Sequence, residues 1–215
     1  MVLAEHHWSL TPGDVTTLTL DVAPEWIDPL CVGAGFDVES VDGARVTARR
    51  VRTLPDTVGP HMRLLVCGLN PSIYSADRGV GYARPGNRFW PAARMAELVT
   101  TENLDTRHAL RTDGVGITDL VKRATVAASE LTRDEYRDGV ARLERLVRWL
   151  RPGAVCFVGL AGWRAAVDRR AAAGPVDGGF AGAPAYVMPS TSGLNARTSL
   201  DELAQHLKAA AGLAS

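Results

Sequence analysis

The strongest constraint on how this chain can fold is a unit that occurs twice: a short apolar run followed at once by a polar, Pro-containing loop. Leu64 to Cys67 runs into Gly68-Leu69-Asn70-Pro71-Ser72, and Ala185 to Val187 runs into Met188-Pro189-Ser190-Thr191-Ser192-Gly193-Leu194-Asn195-Ala196-Arg197. Apolar runs this short, bounded by turn residues, read as buried strands. A Pro directly after Asn70 fixes the turn and leaves the Asn side chain standing at the strand end. Loops at the carboxyl ends of parallel strands are where open α/β sheets place their chemistry.

Helical periodicity separates such runs. Pro91 to Thr100 places Met95, Leu98 and Val99 on one face. Thr132 to Leu150 repeats Tyr136, Val140, Leu143, Leu146, Val147 and Leu150 at intervals of three and four. Thr132 with Glu135 forms a capping box at its start, and Pro152-Gly153 stops it. Val155 to Val158 reads as a central strand, Gly162 to Arg170 as a helix, and Thr198 to Leu213 as a terminal helix. The Ala/Gly-rich stretch from Ala171 to Gly182 reads as a mobile loop.

Strands alternating with helices predict a three-layer α/β/α sandwich whose central sheet is mainly parallel, with about four strands. Residues 1–50 follow a different pattern. Thr16 to Val22 alternates as a half-buried strand, and Asp42-Gly43 joins two further alternating runs as a hairpin. This segment is expected to be a small N-terminal α+β appendage, with residues 51–215 forming the catalytic domain. Its charge run, Arg45, Arg49, Arg50 and Arg52, is either a solvated face or a contact to a nucleic-acid backbone.

Lys+Arg and Asp+Glu both number 24, so the formal charge is zero. That excludes a tight non-specific nucleic-acid binder, whose grip needs a large cationic excess, but not an enzyme with a local basic face. Cys31, Cys67 and Cys156 lie far apart without metal-ligand spacing, and Cys67 and Cys156 fall inside strands as small hydrophobes. The five His residues form no cluster. No metal or cofactor is expected. Neither a membrane span nor a secretory signal is visible, which predicts a cytoplasmic protein.

The two loops together resemble the active-site motifs of the uracil-DNA glycosylase superfamily, and of its mismatch-specific uracil and thymine-DNA glycosylase family in particular. The resemblance extends without a gap from Gly68 through Ser75 and Tyr82 to Arg84-Pro85-Gly86-Asn87-Arg88-Phe89-Trp90. A third block, Gly114 to Thr125, is also similar, and from about residue 52 onward the chain looks like this family throughout. Iron–sulfur branches of the superfamily need four Cys ligands, so three Cys exclude them.

By this resemblance, Asn70 is the catalytic residue that positions the attacking water. An amide holds water by hydrogen bonds but cannot take its proton at neutral pH. The base pocket would comprise Gly68, Leu69, Ser72, Ser75, Tyr82 and Ser190, with Tyr82 stacking on the flipped base unless it is a core Tyr. Ser72 departs from the family's usual Gly; its small side chain implies looser rejection of 5-substituted uracils than in relatives with Tyr there. Phe89 and Trp90 read as core.

DNA contacts would come from Asn87, from the wedge loop Ser192, Gly193, Leu194 and Asn195, and from Arg197. Leu194 either unstacks the duplex or anchors the terminal helix. Lys122 and Arg123 either meet phosphates or are solvated loop residues. Met188 stands where faster relatives carry a His that hydrogen-bonds the departing base. With Asn70 in place of Asp, that implies a slow enzyme limited to good leaving groups. The expected function is therefore a monofunctional glycosylase, acting as a monomer, that flips uracil from a G·U mismatch in double-stranded DNA and leaves an abasic site. Its rivals are a non-catalytic lesion-recognition module and a nucleoside or nucleotide hydrolase.

Overall fold

The computed structural model describes residues 3–214. The appendage comprises α1 (Leu3–Trp8), β1 (Val15–Thr19), α2 (Pro24–Gly33), β2 (Phe36–Asp42) and β3 (Arg45–Arg50). Its strands pair antiparallel in the order β1-β3-β2, with β2 and β3 forming the expected hairpin over Asp42-Gly43. Leu18, Phe36, Val46 and Ala48 point from one side of this sheet onto Ile27 and Cys31 of α2. That gives the appendage an apolar core of its own.

The larger part runs β4 (Leu64–Gly68), α3 (Ile73–Arg78), α4 (Phe89–Met95), α5 (Thr106–Arg111), β5 (Val115–Asp119), α6 (Arg133–Leu150), β6 (Ala154–Val158), α7 (Leu160–Ala166), β7 (Gly174–Pro175), β8 (Ala185–Met188) and α8 (Leu200–Ala211). The sheet order is β5-β4-β6-β8-β7. The first four strands are parallel, while β7 is a two-residue antiparallel edge against β8. Every residue of the four parallel strands is buried, as a sheet covered on both faces requires.

Alternation along the strands sorts side chains between two apolar layers. Leu64 and Val66 of β4 face Phe89, Trp90, Leu203 and Leu207 on α4 and α8. Leu65 and Cys67 face Leu143, Val147 and Trp163 on α6 and α7. The architecture is thus the expected α/β/α sandwich with an N-terminal appendage, its sheet extended by one antiparallel strand. The capping boxes are in place: Thr132 with Glu135 opens α6, and Ser199 with Glu202 opens α8.

Three local expectations are corrected. The Ala/Gly-rich stretch from 171 to 182 contains β7 and drives Phe180 into the core, with its ring 5.0 Å from that of Phe157. A single aromatic anchor fixes a segment that composition alone marks as loose. The helix expected over 91–100 ends at Met95, because Glu97 takes a positive φ and redirects the chain. Met95 is therefore half exposed, while Leu98 and Val99 reach the core from the turn that follows. The helix expected over 162–170 is α7, which starts two residues earlier and ends at Ala166.

The appendage is fastened to the sandwich at several points. Asp56 N–H donates to Gly33 O, Val51 N–H donates to Gly35 O, and the Trp26 and Trp149 rings meet at 5.4 Å. His7 is fully buried, with Nδ1 3.1 Å from Gly35 O.

Candidate functional site

The chain leaves β4 toward β5 on one side and reaches β6 on the other, so the topological switch lies at the carboxyl end of β4. A cavity of about 310 Å³ opens there, lined by the loops that follow β4, β5 and β8 and by Val158 at the end of β6. This is where such a sheet is expected to hold a ligand. The two sequence motifs, far apart in the chain, meet across it.

The first motif continues its strand pairing beyond the sheet. Leu120 N–H donates to Gly68 O, Val121 N–H to Leu69 O, and Thr125 N–H to Pro71 O. This zipper holds the segment after β5 beside the Asn-Pro turn and determines how Asn70 is oriented. Asn70 Nδ2 donates to Arg123 O at 3.0 Å, to Thr125 Oγ1 at 2.7 Å and more weakly to Pro71 O at 3.3 Å. Two of these acceptors are carbonyl oxygens, which only the NH2 side of the amide can satisfy. Oδ1 is thereby left without a protein donor among the described residues, on a side chain that lines the cavity.

Ser72 serves as N-cap of α3: its Oγ accepts from Ser75 N–H and donates to the buried Ser75 Oγ, both at 3.1 Å. Tyr82 lines the cavity with its ring stacked on Phe89, centroids 4.2 Å apart. Its φ of 59° is one that L-residues adopt at a cost, which the surrounding packing must offset. Its hydroxyl is buried without a partner, and burial holds its pKa well above the usual Tyr range. Asn87 accepts from Phe89 N–H through Oδ1 and also lines the cavity. Phe89 and Trp90 are fully buried.

The second motif is built as a projecting loop. Ser190 Oγ accepts from Ser192 N–H, Ser192 Oγ from Leu194 N–H, and Asn195 Nδ2 donates to Ser190 O. Arg88 braces it from behind by donating to the carbonyls of Asn195 and Thr198. Gly193 abuts the other loop so closely that a Cβ would sit 2.9 Å from Gly86 O. The result is a stiff turn with Leu194 at its tip, 88% exposed at the cavity mouth. Arg197 is exposed just beyond it. The geometry leaves Leu194 no part in anchoring α8.

Met188 is fully buried in the layer beneath α8 and does not reach the cavity. The side chain that reaches it from this strand end is Ser190. Alternation along β8 decides this: Met188 is the strand's last inward residue, and the cavity begins only after Pro189.

Lys122 and Arg123 are held by the protein's own acids. Lys122 Nζ is buried, 2.6 Å from Asp56 Oδ1, and also donates to Leu54 O. Arg142 takes the other oxygen of Asp56 at 2.8 Å, and Thr118 Oγ1 donates to Oδ1. Burial alone would raise the Asp56 pKa, yet Arg142 and Lys122 together hold it below the usual carboxylate range. Arg123 forks onto Glu135 and donates to Glu130 O, which pulls the Glu135 carboxyl down to about 2. Lys122 thus faces inward rather than toward a phosphate. Lys122 comes three residues after the end of β5, behind the buried apolar pair Leu120-Val121, and its side chain reaches back to Asp56, which charge counting cannot reveal.

The candidates drawn from sequence did not include the buried acid of the cavity. Asp119, the last residue of β5, lines it while only 7% exposed. Burial pushes its carboxyl up to about 6, partly offset by Lys122. Its signal in the sequence was an acid closing an otherwise apolar strand, at the end where such sheets bind ligands. Gly68 makes room for it, since a Cβ there would lie 2.4 Å from Asp119 Oδ1.

Two strand-end motifs thus converge on a cavity with an oriented amide at one side and an exposed apolar tip at its mouth. A profile of the Uracil DNA glycosylase superfamily matches residues 55–213, covering most of the chain from just after the appendage to the end of α8. Sheet topology, the paired loops and this match agree, and the chain belongs to the uracil-DNA glycosylase superfamily, whose members are hydrolases of base excision repair.

Proposed function

We propose that this glycosylase is a mismatch-directed, monofunctional enzyme. It flips uracil from a G·U pair in duplex DNA, hydrolyses the bond to deoxyribose and leaves an abasic site, working as a cytoplasmic monomer. The observation that carries this reading is the orientation of Asn70. Its NH2 is engaged by Arg123 O and Thr125, so its carbonyl is the group offered to a water in the cavity. The exposed Leu194 supports duplex DNA rather than a free nucleoside as substrate, because a nucleoside has no stack to wedge open.

Strand cleavage by a Schiff base needs a free amine at the site. The chain has two lysines, Lys122 and Lys208. Lys122 is buried against Asp56, and Lys208 lies in the last turn of α8, away from the cavity lining. A mismatched base costs least to extract, which favours G·U over A·U for an enzyme without a strong leaving-group contact.

Single-turnover excision from duplexes carrying one lesion each, followed by alkaline cleavage, tests the proposal. G·U should be processed faster than A·U, free deoxyuridine should be untouched, and no strand break should appear before alkali. Faster A·U processing would replace mismatch direction with plain uracil recognition. Tight lesion binding without turnover would make the protein a recognition module.

A further inference from the structure

A second cavity, of about 570 Å³, lies on the seam between the appendage and the sandwich. Its walls are α1, residues 55–58 ahead of β4, the end of α3 and one face of α5. It shares no lining residue with the cavity at the strand ends. Trp8 forms one wall. The Arg50 guanidinium stands 5.7 Å from its ring centroid, and the His7 ring lies nearly perpendicular to it at 4.7 Å. Gly79 packs so closely that a Cβ there would lie 3.2 Å from the indole. Held in this way, Trp8 is still 36% exposed.

The charge in this cavity is one-sided. Arg78 from α3 and Arg107 and Arg111 from α5 line it. None of the three guanidinium groups makes an ion pair or a hydrogen bond among the described residues, and Arg78 lies over the Tyr74 ring at 5.3 Å. Two of the three lining acids are neutralised already: Asp56 by Lys122 and Arg142, and Asp77 by Arg52. Glu5 on α1 is the one lining acid without a cation among the described residues. This local excess sits in a chain whose formal charge is zero. Like charges four residues apart on a helix repel, and an anion held between Arg107 and Arg111 relieves that repulsion.

We propose that the seam cavity binds a nucleoside di- or triphosphate. Arg107 and Arg111 are one helical turn apart, about 5–6 Å between Cβ atoms, a span that successive phosphoryl groups can bridge. Each guanidinium can fork onto a phosphoryl group, with Arg78 closing from α3. Trp8, Pro55, Val58 and Leu110 supply an apolar wall for the nucleoside, which inorganic phosphate would leave bare. The volume suits a small ligand enclosed in a concave site, whereas duplex DNA presents its phosphates on a convex surface.

Isothermal titration calorimetry of the full chain with ATP, adenosine and inorganic triphosphate tests the proposal. ATP should bind once per chain, and adenosine and triphosphate should each bind at least about tenfold more weakly. Arg107→Gln and Arg111→Gln should each weaken ATP binding by about tenfold, the scale of one hydrogen bond to a charged group. Both residues are exposed, so neither substitution threatens the fold. Arg145→Gln, exposed on α6 and outside both cavities, should bind ATP like wild type. No saturable ATP binding would overturn the proposal. Triphosphate binding as tightly as ATP would reduce the cavity to a polyanion surface and overturn the nucleoside assignment. Loss of ATP binding in Asn70→Ala, with Arg107→Gln unaffected, would move the nucleotide to the strand-end cavity. Weaker duplex binding by Arg107→Gln, with ATP binding unchanged, would make this face a DNA-backbone contact and overturn the proposal.

Discussion

Asn70 Nδ2 lies 2.7 Å from Thr125 Oγ1, a contact that joins the two loops flanking the cavity across 55 residues of sequence. It turns an amide that could rotate freely into one with a fixed face. Asn70→Ala should lower single-turnover excision by about 10²-fold, the scale of losing a positioned polar group, with stability changed by no more than about 1 kcal/mol. Thr125→Val should lie between the variant and wild type, because Arg123 O still holds one of the two N–H groups. Excision by Asn70→Ala at the wild-type rate would assign the water to another residue.

Leu194 offers a cleaner separation. At 88% exposure its truncation removes no core packing, so Leu194→Ala should leave the melting temperature unchanged. Unstacking costs a few kcal/mol in a duplex and much less in a single strand. Excision from G·U duplex should fall about tenfold or more, with a uracil-bearing single strand largely spared if it is a substrate at all. Equal loss on both substrates would refute the wedge.

Lys122 is expected to matter for folding rather than for DNA. Lys122→Met leaves the buried Asp56 with one cation fewer. Breaking a buried pair costs about 3–5 kcal/mol, and the low end applies here because Arg142 stays. Chemical denaturation should register that loss, while the salt dependence of DNA binding stays as in wild type. A salt slope reduced by about one unit would restore Lys122 as a phosphate contact.

His7 makes the appendage sensitive to acid. Burial, reinforced by Arg50, lowers its pKa from 6.5 to about 4. The folded state thus disfavours the protonated imidazole, and the stability this represents is complete above pH 6.5 and lost as pH falls toward 4. The span corresponds to at most about 3 kcal/mol. Thermal melts at pH 7 and pH 4.5 should show a larger acid penalty for wild type than for His7→Gln. Identical penalties would place the acid-sensitive step elsewhere.

The sequence by itself determined the layered architecture, since strand alternation, helix periodicity and capping boxes are local signals. Thr132 with Glu135 is one example, and the hairpin over Asp42-Gly43 another. It also indicated both loops of the site, because each carries its own turn chemistry beside an apolar run. What it could not convey is which side chains those loops spend on one another. Lys122 looks solvent-bound until Asp56, 66 residues earlier, is placed beside it. Met188 looks like a site residue until β8 is seen to continue through it. Phe180 looks idle in a Gly-rich stretch until Phe157 and Trp163 meet it in the core. Asp119 is an ordinary acid until Gly68 on the neighbouring strand opens the space in which it is buried. Each depends on a contact between residues far apart in the chain, and burial and charge pairing are decided only when tertiary packing brings such residues together.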